Sequence, residues 1–249
     1  MCSALGRRLL PLLQPNSRTV RRLSSMPNSA ADSKEEAFYK NAEDYWAQVS
    51  TDVDGMLGGF ANLHTPDVNE SRKFLADLRS KSLLTNMGRA LDCGCGIGRV
   101  TKHLLLPSFK IVDMVDVTET FINKSKAYIG AEDARVGMKF VEGLQTFTPA
   151  ENTYDVVWVQ WVTGHLTDQH FIDFFTRCKA ALREGGVVVF KDNLGGRQVP
   201  EFDAEDNSWT RPLFSVLDLL SKAGLTEVLS KKQINFPRGM YEVRMIALK

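Results

Sequence analysis

The sequence predicts an α/β fold in which a mostly parallel sheet carries helices on both faces. Three observations point there. Apolar, strand-like runs alternate with amphipathic stretches of helical period from Ala90 to Phe190. A glycine-rich turn, Gly94-Cys95-Gly96-Ile97-Gly98, joins the first of these runs to the segment Arg99 to Leu106. The run Tyr154 to Trp161 is almost wholly apolar, as expected of a strand buried on both faces. A chain of 249 residues holds one large core, or a core with a small appendage.

The elements follow in order. Phe38, Ala42, Tyr45, Trp46 and Val49 recur at helical spacing, so Lys34 to Val49 reads as an amphipathic helix ahead of the main fold. Asp52 to Phe60 holds Gly55, Gly58 and Gly59 among apolar residues, a composition suited to a close-packed lid or a plain connector. Asp67 reads as the N-cap of the next helix, with Glu70 as its capping-box partner and Phe74, Leu75 and Leu78 as its buried stripe. After the glycine-rich turn come a helix from Arg99 to Leu106, a strand from Lys110 to Val117, a helix from Glu119 to Ile129 and a strand from Met138 to Val141. The strand Tyr154 to Trp161 leads to a helix from His170 to Leu182, whose phenylalanines form a core stripe. Gly185-Gly186 then turns the chain into the strand Val187 to Phe190. A helix from Leu213 to Ala223 stops at Gly224. Leu225 to Ile234 and Tyr241 to Leu248 close the chain as an antiparallel hairpin.

Charge and composition narrow the function. Residues 1–31 hold five arginines and no acid, which leaves 26 basic against 30 acidic residues in the remainder. That balance argues against nucleic acid and suits a basic partner. No apolar run is long enough to span a bilayer, so no membrane role is expected. Cys2, Cys93, Cys95 and Cys178 are not spaced as metal ligands; a reduced intracellular setting is expected and no metal site. The domain reading is a disordered, transit-like segment over 1–33 and a single domain over 34–249. The Arg-, Leu- and Ser-rich start matches a mitochondrial transit peptide or a basic tail, whereas initiation at Met26 would leave the protein in nucleus and cytoplasm.

The glycine spacing is G-x-G-x-G. The dinucleotide fingerprint would need glycine where Arg99 stands, which disfavours a nicotinamide oxidoreductase. Asp92, just before the glycines, suits a cofactor with an amino-acid end. Asp116 ends the next strand about twenty residues on, where such folds place an acid on ribose hydroxyls. Other candidate groups follow the fourth and fifth strands: Gln160, Trp161, His165, Asp192 and Asn193. His165 is a base or a hydrogen-bonded loop residue, Trp161 a substrate wall or core, Asn193 a holder of the nucleophile or a turn residue. Glu201, Asp203, Glu205 and Asp206 form an acidic cluster that either binds a cation or lies solvated.

Longer motifs go further. Val53-Asp54-Gly55-Met56-Leu57-Gly58-Gly59, Gly164-His165-Leu166-Thr167-Asp168 and Lys191-Asp192-Asn193, with Tyr45-Trp46 and Leu91-Asp92-Cys93-Gly94, resemble the protein N-terminal α-amino methyltransferases from about Phe38 onward. The resemblance implies a seven-stranded, Rossmann-like class I methyltransferase sheet with a terminal antiparallel hairpin and extra N-terminal helices. It implies S-adenosylmethionine as cofactor, and protein or peptide N-termini with a basic third residue as partners. By position, Gly94, Arg99, Asp116, Val117, Leu144, Gln145, Gln160 and Trp46 hold the cofactor. Met56, Leu57, Gly58, Trp161, Asp203 and Tyr241 contact substrate. His165 and Asp206 are the candidate bases and Asn193 contacts the first substrate residue. Two departures from the family pattern are Cys95, in place of alanine, and an acidic loop one residue longer. A small-molecule methyltransferase and a non-catalytic binder of N-termini are the competing readings.

Overall fold

A computed structural model describes residues 30–249. The predicted leader lies outside the described residues as far as residue 29, and its last four residues open the first helix. The elements are α1 (Ala30–Trp46), α2 (Val53–Met56), α3 (His64–Ser80), β1 (Arg89–Cys93), β2 (Ile111–Asp116), α4 (Glu119–Ile129), β3 (Val136–Val141), β4 (Tyr154–Gln160), α5 (Asp168–Ala181), β5 (Leu182–Leu194), β6 (Glu201–Asp203), β7 (Ser208–Thr210), α6 (Leu213–Lys222), β8 (Glu227–Lys232) and β9 (Glu242–Leu248).

Seven strands form one sheet in the order β3-β2-β1-β4-β5-β9-β8. The first five pair in parallel, and β9 lies antiparallel between β5 and β8. Order reverses between β1 and β4, which opens a crevice beyond their carboxyl ends. Alternation along β4 builds both core layers. Val156 and Trp158 pack with Phe74, Leu78 and Leu104 on one face, and Val157 and Val159 pack with Phe171, Phe174 and Phe175 on the other. This is the predicted architecture, with α3 and α4 on one face and α5 and α6 on the opposite one.

Four local readings are corrected. Helix α3 begins at His64, so Asp67 lies inside its first turn and caps nothing, and Glu70 bonds Lys73 instead of the cap. Pro66 is the sequence signal for this, since proline is tolerated in a first turn where no intrahelical bond is lost. The segment after the glycine-rich turn winds as a π-helix over Thr101–Leu105, with the Leu106 N–H donating to the Thr101 carbonyl 2.9 Å away. Strand β5 starts at Leu182 and runs through Gly185-Gly186. The acidic segment is one arm of a second, two-stranded sheet, β6–β7.

Candidate active site

The glycine-rich turn closes on β2. Gly94 and Cys95 N–H groups donate to the Val115 carbonyl at 2.9 and 3.1 Å, and Gly96 N–H donates to Asp116 Oδ2 at 2.8 Å. Gly94 and Gly96 have φ of +67° and +54°, a region that disfavours side chains. A Cβ on Gly94 would come 2.6 Å from Val162 Cβ, and one on Gly96 would collide with Met56 Sδ. Asp92 lies beneath the turn, where its Oδ2 accepts Thr101 N–H and O–H at 2.9 and 2.6 Å. Burial pushes its carboxyl up to about 6.

A cavity opens above the turn, at the carboxyl ends of β1, β2 and β4. Gly94, Arg99, Asp116, Val117, Leu144, Gln145, Gln160 and Trp46 all line it, so all eight residues expected to hold cofactor converge. Asp116 Oδ1 also accepts Thr118 N–H at 2.8 Å, so each carboxylate oxygen is held in place with lone-pair capacity remaining for hydroxyl donors. Cys95 lines the cavity too; burial pushes its thiol well up, so it serves as a small neutral wall.

Behind the cavity is a buried charge cluster that sequence reading missed. Asp67 accepts Arg99 Nη1–H at 2.7 Å and Gln160 Nε2–H at 2.9 Å, and pairs with Lys191 Nζ. The Lys191 ammonium also donates to Ser71 Oγ and Gln233 Oε1, both at 2.8 Å. Asp67, Arg99 and Lys191 are all under 5 % exposed. Burial works to raise the Asp67 carboxyl, but Lys191 and Arg99 outweigh it and hold it below the ordinary range. Two cations against one carboxylate leave a positive charge facing the cavity through Arg99, which suits an anionic ligand group. Gln160 Oε1 is already taken by the Trp158 indole at 2.9 Å, so its amide also braces the wall.

On the opposite side sits His165, whose Nε2 accepts the Trp46 indole N–H at 2.9 Å. Burial pulls its pKa down, against the opposing charge of Asp206. The β6–β7 hairpin is docked here by Arg211, a buried guanidinium. It donates to the Thr163 and Leu166 carbonyls at 3.1 and 2.6 Å and pairs with Asp168. Gly164 permits the close approach, since a Cβ there would lie 3.0 Å from the Trp209 carbonyl oxygen. Asp203, Glu205 and Asp206 make no ion pair among the described residues; burial raises the Tyr45 hydroxyl pKa, and the charges of these acids add to it.

The residues expected to contact substrate separate. Met56, Trp161 and His165 line the cavity. Leu57 is buried away from it, and Gly58 is an exposed left-handed turn position, so the lid contributes only Met56 there. Trp161 holds φ of +52°, with Arg99 Cζ 5.5 Å from its ring and Phe236 stacked at 6.5 Å. Asn193 lies beyond the cavity lining on β5, and Tyr241 lines a second depression with Leu194 and Glu242. Arg211 carries no local motif that marks it, and nothing local marks the pairing of Asp67 with Lys191.

Residues 34–249 match the AdoMet-dependent proline di-methyltransferase family. The chain belongs to that family. The Caenorhabditis elegans alpha N-terminal protein methyltransferase 1 is 48% identical over 227 residues, covering 91% of this chain and 96% of the relative. The human N-terminal Xaa-Pro-Lys N-methyltransferase 1 is 48% identical over 216 residues, covering 86% and 96%. Among solved structures, a SAM-dependent methyltransferase of Leishmania major superposes with a TM-score of 0.80 at 34% identity, covering 85% of this chain and 83% of that one. S-Adenosylmethionine is therefore the cofactor of this fold, and the cavity fits it: one turn with two side-chain-free positions, Gly94 and Gly96, a carboxylate at the end of β2, and a cationic wall. Gly94→Ala is expected to raise the S-adenosylmethionine dissociation constant about 10- to 100-fold, the effect of the roughly 1–3 kcal/mol strain at such a backbone position. Isothermal calorimetry reads this directly, and unaltered affinity would contradict the cradle.

Proposed function

We propose that this chain transfers methyl groups from S-adenosylmethionine to the free α-amino group of proteins exposing an N-terminal X-Pro-Lys or X-Pro-Arg. The observation that carries the reading beyond the family is the hairpin acid cluster. Asp203, Glu205 and Asp206 stand without ion-pair partners among the described residues; all three act on Tyr45, and Asp206 acts on His165, which lines the cavity. Such a surface favours a basic residue near the reacting amine, and Trp161 offers an aromatic plane to the proline between them.

When bound, S-adenosylmethionine supplies an electrophilic methyl on a sulfonium. The protein's task is then alignment and proton removal. An α-amino group has a pKa of about 7.7–8.0 against about 10.4 for lysine, so a weak base suffices to bare the N-terminal nitrogen near neutral pH. Arg99 and the glycine turn fix the cofactor end of the line of attack. Asp206 and Asn193 serve the amine end, and Asp203 receives the third-residue cation.

The test compares Ser-Pro-Lys and Ser-Pro-Ala peptides on wild type and Asp203→Asn. The lysine peptide is expected to lose about fivefold in kcat/KM in the variant, the factor carried by an ion pair worth about 1 kcal/mol. The alanine peptide is expected to be indifferent. Equal kcat/KM for the two peptides on wild type would contradict a basic third residue as a recognition element.

A further inference from the structure

We propose that Arg211 is a positioning residue for substrate selection. It seats the β6–β7 hairpin on the turn Thr163–His165 and so sets where Asp203 meets the third substrate residue, without touching substrate or cofactor itself. This rests on the function proposed above.

The hairpin does not seat itself. No residue from Glu201 to Thr210 is buried. Its cross-strand aromatic pair, Phe202 and Trp209, has ring centroids 4.7 Å apart and stays exposed. Apolar burial therefore holds the hairpin weakly. Internally it is well fixed: Asp203 Oδ1 accepts Glu205 N–H at 2.9 Å, and Asp206 Oδ1 accepts the Ser208 hydroxyl at 2.7 Å. Such a piece moves as a body and carries its acids with it. Its place is set by polar ties at its two ends. At the tip, Asn207 Nδ2–H donates to the Phe38 carbonyl at 2.7 Å, and the Asn207 backbone bonds the His165 ring. At the root stands Arg211, the first buried residue after β7, only 3 % exposed.

The guanidinium reaches three separate acceptors. Nε–H donates to Asp168 Oδ1 at 2.9 Å, Nη1–H to the Thr163 carbonyl at 3.1 Å and Nη2–H to the Leu166 carbonyl at 2.6 Å. Asp168 is largely exposed, so the two carbonyls do most of the positioning. The Arg211 backbone is fixed as well, because its carbonyl accepts Gly195 N–H at 3.0 Å, just past the end of β5. The seat is rigid in turn. Asp192 Oδ2 accepts Thr163 N–H and O–H at 3.2 and 2.7 Å, and Asp192 Oδ1 accepts Asn193 N–H at 2.8 Å. His165 and Leu166 line the cofactor cavity, whereas Arg211 lines neither that cavity nor the depression at Tyr241. A lysine at 211 keeps the charge, but its single nitrogen cannot span the acceptors of a planar fork.

The experiment compares Ser-Pro-Lys and Ser-Pro-Ala peptides on wild type, Arg211→Lys and Gly164→Ala, with cofactor affinity measured by calorimetry. Arg211→Lys is expected to lower kcat/KM for the lysine peptide about fivefold through KM, the factor carried by the ion pair it displaces. Its kcat, the alanine peptide and the S-adenosylmethionine dissociation constant should stay within about twofold of wild type, since the charge is kept and the cavity is untouched. Gly164→Ala lifts the same seat from the other side, where the new Cβ would meet the Trp209 carbonyl oxygen at 3.0 Å. It should lower the lysine-to-alanine preference in the same direction, and it decides the matter if Arg211→Lys does not fold. A merely structural role would lower both peptides equally. That result, or an unchanged preference in either folded variant, would overturn the proposal. Hydrogen exchange separates this from a failure of the proposed function. Even if wild type shows no preference for lysine, amides of residues 201–210 should exchange about tenfold faster in Arg211→Lys, with β4 and β5 unchanged. Unaltered exchange there would show that Arg211 does not seat the hairpin.

Discussion

Asp67→Ala is expected to lower the unfolding free energy by about 3–5 kcal/mol, the cost of removing one partner from a buried ion pair. The reason is the company Asp67 keeps. Lys191 is fully buried and Arg99 nearly so, and the carboxylate of Asp67 is the shared counter-charge of both. Without it, two cations remain in a low-dielectric wall, where Lys191 keeps the residue-67 carbonyl, Ser71, Gln233, the Trp161 ring and the charge of Glu70. Lys191 can shed its proton to escape; Arg99 stays charged. Urea unfolding of wild type and variant measures the difference. A loss under about 1 kcal/mol, the level of an exposed pair, would mean that the cluster is solvated and that the argument from burial is wrong. Cofactor should recover part of the loss, since an anionic group bound at Arg99 replaces some of the missing charge.

Asp206→Asn is expected to lower kcat by about 10²- to 10⁴-fold, the range for a positioned general base, while cofactor affinity stays close to that of wild type. The residue lies on the turn between β6 and β7, outside the cofactor cavity lining, so its loss should leave the cradle around Gly94 and Asp116 as it is. The shape of the substitution matters: asparagine keeps the acceptor for the Ser208 hydroxyl but cannot take a proton at neutral pH. Stopped-flow single turnover, with cofactor binding measured separately, distinguishes the outcomes. A parallel fall in affinity and rate would move Asp206 from proton removal to cofactor binding.

Most of the sheet is legible in the sequence because its signals are local. The apolar run of β4, the glycine turn after β1 and the acid at the end of β2 each report their surroundings within a few residues. The eight residues that the family resemblance assigns to the cofactor line one cavity. What escaped depends on distance along the chain. Asp67 and Lys191 meet across 124 residues, and Trp46 and His165 across 119, so no spacing rule reveals either pair. Asp67 reads as a helix cap because caps and buried ion-pair partners share the same side chain. The β6–β7 hairpin is hidden by its size, two strands of three residues, and it is fixed by Arg211, which reaches two backbone carbonyls that carry no sequence signature and the distant Asp168 carboxylate.

The most direct measurement is mass spectrometry of a Ser-Pro-Lys peptide incubated with the protein and S-adenosylmethionine, beside an N-acetylated copy. Mass steps of one methyl group on the free peptide, located to its α-nitrogen and absent from the acetylated copy, are the predicted result. Methylation of the acetylated copy, or none of either peptide by protein that binds the cofactor, would contradict transfer to the α-amino group.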